Sequence, residues 1–98
     1  MIIIRDVFQL HFGKASEGVK LMKEGMGLLR QQGYGVTRLL TDVTGEYYTL
    51  VMESNYQDLA AFEKAQREAT ATEAWRALYA RFVPLVRSGR REVFREVE

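Results

Sequence analysis

The order in which hydrophobic periods change along this chain constrains its fold more than any other feature. Alternation of apolar and polar residues, the pattern of a half-buried strand, runs through Ile2–Phe12. A helical period of three to four residues follows, then two more alternating runs at Val36–Val43 and Tyr47–Met52. A second long helical stretch leads to a closing alternating run, Glu92–Val97. The order reads β-α-β-β-α-β. It predicts a ferredoxin-like α+β sandwich, with a four-stranded antiparallel sheet carrying its helices on one face.

Ninety-eight residues suit a single domain, residues 1–98, with one modest core. Fourteen basic residues nearly balance thirteen acidic ones, which leaves no electrostatic case for nucleic acid or an anionic membrane as partner. Arg87, Arg90, Arg91 and Arg95 do cluster near the C-terminus, interleaved with Glu92, Glu96 and Glu98. Such a run is more often a solvated, partly self-paired edge than a phosphate site. The absence of cysteine excludes disulfides, thiolate metal sites and a Cys nucleophile, and fits a reducing compartment. The chain opens directly on strand-like Ile2-Ile3-Ile4, without the basic n-region of a signal peptide. No apolar run approaches the ~20 residues of a membrane span. The expected location is cytoplasmic.

In the first strand the even positions Ile2, Ile4, Asp6, Phe8, Leu10 and Phe12 form the core face, and the odd positions Ile3, Arg5, Val7, Gln9 and His11 form a mixed one. Ser16 is placed to cap a first helix over Glu17–Gln32, whose stripe is Val19, Met22, Met26 and Leu29. Gly25 and Gly27 inside that helix each cost roughly 1 kcal/mol relative to Ala, a loss that close approach to a neighbouring element can offset. Gly33 and Gly35 supply its stop. A hairpin across Asp42-Val43-Thr44-Gly45-Glu46 joins strands two and three. Strand two is ambiguous in face, with Val36 and Leu40 sharing the side of Arg38. Ser54 or Asn55 can cap the next helix, which carries Leu59 and Phe62. Thr70 with Glu73 forms a capping box that splits the second helical region. The new helix carries Trp75, Leu78, Tyr79, Phe82 and Val86 on one stripe, Pro84 kinks its last turn, and Gly89 releases the chain into the last strand.

Several of these details resemble the dimeric α+β barrel superfamily, and most nearly its NIPSNAP and antibiotic-biosynthesis-monooxygenase-like families. The resemblance rests on Phe12-Gly13-Lys14 after the first strand, on Leu50-Val51-Met52-Glu53-Ser54 followed by Leu59 and Phe62, on Trp75, on Pro84-Leu85-Val86 and on a final strand rich in Glu and Val. It implies a homodimer whose two sheets pack face to face into a barrel. The residues ask for the same cover independently, since Ile3, Val7 and Val51 lie on the sheet face that no helix covers. The resemblance also implies a small aromatic or polyketide-like ligand between helices and sheet, in some members oxidised with no metal or flavin, so no cofactor is expected. A heme-degrading branch uses a first-strand Asn, a Trp and a helix His as iron ligand. Here the corresponding residues are Asp6, Trp75 and Leu85, no helix contains a histidine, and that mechanism is not expected.

Four residues are candidates for binding a ligand. Asp6 is an acid on an otherwise apolar strand face, where a carboxylate must pair, hydrogen-bond or hold its proton. It either lines a pocket as a base or orienting group, or, as is commoner for such an acid, pairs with an arginine or reaches solvent at a strand end. His11, the only histidine, can titrate near neutrality, but a lone histidine builds no zinc site and more often sits at a rim or interface. Trp75 can stack on a ligand, although its stripe-mates make it core first. Arg38 can clamp a carboxylate, with a salt bridge to Glu53 or Asp42 the plainer outcome. Gly25-Met26-Gly27 follows no strand and fails as a dinucleotide motif. Two functions follow: a small-ligand-binding dimeric barrel acting as a cofactor-independent monooxygenase on an aromatic or polyketide-like substrate, or a non-catalytic binding or accessory module.

Overall fold

Ile2, Ile4, Asp6 and Leu10 are all buried on one face of the first strand, and the helices are laid over that face. The computed structural model describes Met1–Glu98. It contains β1 (Ile2–Leu10), α1 (Ala15–Gln31), β2 (Val36–Thr41), β3 (Thr49–Tyr56), α2 (Leu59–Thr70), α3 (Glu73–Phe82), a short 3₁₀ turn at Val83–Leu85, and β4 (Val86–Arg95). The strands form one antiparallel sheet in the order β2-β3-β1-β4. This is the ferredoxin-like arrangement that the hydrophobic periods predict. The sheet is open, with β2 and β4 as its edges. No helix is long and apolar enough to cross a membrane.

The core lies between sheet and helices. Ile4, Met22, Leu29, Leu50 and Phe82 are almost fully buried there, and each such side chain contributes about 1.5–3 kcal/mol relative to exposure. The molecule is only 18 Å across its short axis, room for one helical layer on one sheet, so the second sheet face meets solvent. On that face Val7 and Val51 are nevertheless buried, 4% and 7% exposed. They are paired across β1 and β3, and Val7 is flanked by Arg5 and by its cross-strand partner Arg90, whose aliphatic stems can shield apolar neighbours. The apolar surface left open on this face is therefore smaller than the sequence suggests. It consists of Phe94, half exposed, and the partly buried Ile3 and Leu40.

Several boundaries differ from the sequence expectations. Helix α1 begins at Ala15 with Lys14 at its cap position and no side-chain cap, so Ser16 lies inside the first turn. Its buried stripe is Gly18, Leu21, Met22, Gly25 and Leu29, centred on two glycines that allow close contact, with Val19 and Met26 partly buried at its edge. A Cβ at residue 18 would lie 2.9 Å from Leu10 Cδ1, and one at residue 25 would lie 3.0 Å from Trp75 Cζ3. The compensating contact at Gly25 is thus with α3, helix on helix.

In β2 the register shifts between Val36 and Arg38. That bulge turns Val36 into the core opposite Ser54 while Arg38 and Leu40 face outward, which resolves the ambiguous strand. Strand β3 starts only at Thr49, because Tyr48 adopts φ +61° in the connecting loop, and Asp42 Oδ1 accepts the Thr49 amide at 2.8 Å. The strand continues to Tyr56, so the cap of α2 is Asp58, which accepts from the Ala61 amide at 2.8 Å. The predicted break before α3 is present, but Thr72 rather than Thr70 caps it, accepting from the Trp75 amide. Thr70 donates instead to the Gln66 carbonyl. Strand β4 begins at Val86, six residues before Glu92, and Gly89 lies within it opposite Phe8.

Candidate ligand-binding site

A cavity of about 290 Å³ lies between the sheet and the helices. Its floor is the inner sheet face: Asp6 and Phe8 of β1, Met52 of β3 and Arg91 of β4. Alternation puts Asp6 and Phe8 on one side, and the register places Asp6 directly opposite both Met52 and Arg91. The helices supply residues at whole-turn spacings, Met22 with Leu29, Gln66 with Thr70, and Trp75 with Tyr79. Tyr34, held between two glycines after α1, closes the wall.

The polar centre is an ion pair. Arg91 Nε donates to Asp6 Oδ1 at 2.6 Å, while an Arg91 terminal nitrogen donates to Gln66 Oε1 at 3.3 Å. The guanidinium also lies 5.1 Å from the centre of the Phe62 ring, a cation–π geometry. The Asp6 side chain is only 7% exposed and that of Arg91 39%. Burial alone would lower the Arg91 pKa, but the hydrogen bond and charge of Asp6 outweigh it and raise it above its ordinary value. The second carboxylate oxygen, Asp6 Oδ2, is buried and has no hydrogen-bond partner.

The aromatic wall is ordered by mutual packing. Trp75 stacks on Tyr79 with ring centres 5.5 Å apart, and Phe8 meets Phe82 edge-on at 5.1 Å. Tyr34 packs edge-on against Tyr56 at 5.6 Å, and the Tyr56 hydroxyl accepts the Gly35 amide at 2.8 Å. Burial, and after it the nearby Asp6 charge, pushes the Tyr34 phenol far above its ordinary pKa. It is therefore a neutral hydroxyl at the cavity wall. No group of three or more His, Cys, Asp or Glu side chains is placed to hold a metal ion.

Of the four sequence candidates, the fold brings Asp6 and Trp75 together and leaves the other two elsewhere. His11 is exposed, just past the end of β1, because pairing shifts register between Gln9 and Leu10. Its backbone amide donates to the Leu85 carbonyl at 2.9 Å. Arg38 lies on the outer sheet face, where its Nε bonds Glu53 at 2.7 Å beside Arg5, itself 3.2 Å from that carboxylate. Sequence reasoning missed Arg91, Tyr34, Gln66 and Thr70. Arg91 was readable in principle, since continuing the alternation of Val93 back by two residues puts it on the core face.

The NIPSNAP family pattern matches residues 5–98 of this chain. Among solved structures, a NIPSNAP domain protein from Burkholderia xenovorans superposes with a TM-score of 0.90 at 20% identity, covering 99% of this chain and 95% of that one. A NIPSNAP family protein from Agrobacterium tumefaciens gives 0.92 at 16% identity, covering 99% and 86%. SnoaB, a cofactor-independent oxygenase from Streptomyces nogalater, gives 0.74 at 17% identity, covering 99% and 93%. At these identities the structural likeness speaks for the fold alone. No curated relative matches the sequence.

Proposed function

The chain belongs to the NIPSNAP family, and we propose that it is a small-ligand-binding protein whose largely apolar, aromatic ligand occupies the cavity between Asp6 and Trp75. The observation that carries this reading is a mostly apolar, aromatic wall holding one buried carboxylate oxygen without a partner. Apolar walls supply affinity, and a few placed polar groups supply orientation. The volume of about 290 Å³ stands at the lower end of small-molecule sites, roughly 300–1,000 Å³. It suits a one- or two-ring molecule and is small for a fused polyketide-like system.

If the ligand is turned over, cofactor-independent oxygenation of an aromatic substrate is the reaction this reading favours. SnoaB, on a related fold, is a cofactor-independent oxygenase, and a carboxylate beside an aromatic hydroxyl is placed to accept its proton. The second reading, a non-catalytic binding or accessory module, is favoured by the lining itself, which contains no histidine, serine or second acid beside Asp6. A homodimer through the outer sheet face belongs to both readings and is supported by the exposed Phe94.

A thermal-shift screen of one- and two-ring aromatics, with oxygen uptake measured for every hit, tests the proposal. A ligand that raises the melting temperature in wild type and not in a Met52→Trp variant with the cavity filled supports it. Oxygen uptake with such a ligand selects the oxygenase, and stabilisation without uptake selects the binding module. No stabilisation by any compound removes the cavity as the functional site.

A further inference from the structure

The charges inside the cavity restrict what it can hold. Asp6 and Arg91 form one pair at 2.6 Å, so the site as a whole is close to neutral. Two of the five Arg91 N–H donors are engaged, Nε with Asp6 and a terminal nitrogen with Gln66, so an incoming acid would have to share the guanidinium with the Asp6 carboxylate. A ligand carboxylate entering here would meet Asp6 as a like charge in surroundings of low dielectric. A ligand cation would meet Arg91 in the same way. Both ionic classes are disfavoured.

None of the donors lining the cavity reaches the second oxygen of Asp6. Asp6 Oδ2 is buried without a partner on a side chain more than nine-tenths buried. Every other charged group at this centre is matched. Leaving a buried carboxylate oxygen unpaired is costly, and a ligand that supplies the donor recovers that cost on binding. The terminal torsion of Asp is broad, so the carboxylate can turn toward a donor in the cavity while Oδ1 stays with Arg91.

We propose that the cavity selects a neutral aromatic molecule bearing a hydroxyl group, which donates to Asp6 Oδ2 while its ring stacks along Trp75 and Tyr79. This deepens the ligand-binding reading above and rests on it. Asp6 is then the specificity-determining residue and Arg91 the positioning residue that holds it.

Trp75 is the only tryptophan and lines the cavity, so all tryptophan fluorescence originates at this site. Three probes of one ring size separate the possibilities: 4-ethylphenol, 4-ethylanisole and 4-ethylbenzoate. The phenol should quench saturably and bind about tenfold or more tighter than the anisole, the fold-change expected for one hydrogen bond to a charged acceptor. The benzoate should bind weakest. In Asp6→Asn, where the amide oxygen must face Arg91 and the amide NH₂ replaces Oδ2, the phenol preference should collapse to within about threefold. The phenol-to-anisole comparison in wild type decides the matter even if that variant does not fold. Equal binding of phenol and anisole, or tightest binding by the benzoate, overturns this inference while leaving the cavity a ligand site. No quenching by any probe overturns the ligand-binding reading and this inference with it.

Discussion

Asp6 and Arg91 are direct cross-strand partners of β1 and β4, and their side chains meet on the helix-covered face at 2.6 Å. Sheet register, rather than a flexible loop, therefore fixes the one ion pair at the cavity. The two partners are unequally buried, 7% exposed for Asp6 and 39% for Arg91, and that inequality sets the cost of removing either one.

Arg91→Leu leaves a buried carboxylate with no counter-charge and should destabilise by about 2–3 kcal/mol, less than a fully buried pair because Arg91 reaches water. Asp6→Leu leaves an arginine that can turn outward and should cost about 1 kcal/mol. The double replacement should recover most of the loss. Urea denaturation of the three variants measures all of this, and a larger loss for Asp6→Leu than for Arg91→Leu would contradict it.

The glycines of α1 make a matched pair. At residue 27 an added Cβ meets nothing within 4 Å, so Gly27→Ala should stabilise by about 0.5–1 kcal/mol through helix propensity and reduced unfolded-state freedom. At residue 25 the same Cβ presses on Trp75 Cζ3 at 3.0 Å and Leu78 Cδ2 at 3.2 Å, so Gly25→Ala should lose that gain and change the Trp75 emission. Thermal melts with fluorescence detection separate the two.

Stability should fall at alkaline pH with a contribution from Tyr34. Its folded-state pKa is raised by burial, so the native protein keeps a proton that the unfolded chain releases near pH 10. The associated stability is fully present below about pH 10 and is lost as pH rises above it. Tyr56 is shifted in the same direction, also chiefly by burial. Tyr34→Phe should give a shallower decline of melting temperature above pH 10 than wild type, and an unchanged slope would contradict the assignment.

On the outer sheet face Phe94 is 49% exposed. Phe94→Glu should shift a homodimer toward monomer in light scattering while leaving the circular dichroism spectrum intact. Lys23→Glu, on the exposed side of α1, should not. A wild-type monomer at micromolar concentration would remove the proposed dimer.

The sequence carried the architecture because period two and period 3.6 are written directly in the positions of apolar residues. It also exposed Asp6, since one acid among Ile2, Ile4, Phe8 and Leu10 breaks an otherwise apolar face. Arg91 escaped because it stands among four arginines and because the start of β4 was placed at Glu92, which hid its alternation. Tyr34 escaped because its flanking glycines read as a helix stop, and no periodicity runs through a turn. Caps slipped by two to four residues where several polar residues compete, as at Ser54, Asn55 and Asp58. The bulge beside Thr37, which turns Val36 inward, depends on pairing with β3 and has no local trace.

The central claim is that a small aromatic ligand sits against Asp6 and Trp75. The chain has one indole N–H, that of Trp75, so a nitrogen–proton correlation spectrum shows one indole peak. Titration with 4-ethylphenol should move that peak saturably, together with the backbone amides of Asp6, Phe8 and Tyr79. A stationary indole peak at ligand saturation, or shifts confined to residues outside the cavity, would contradict the account.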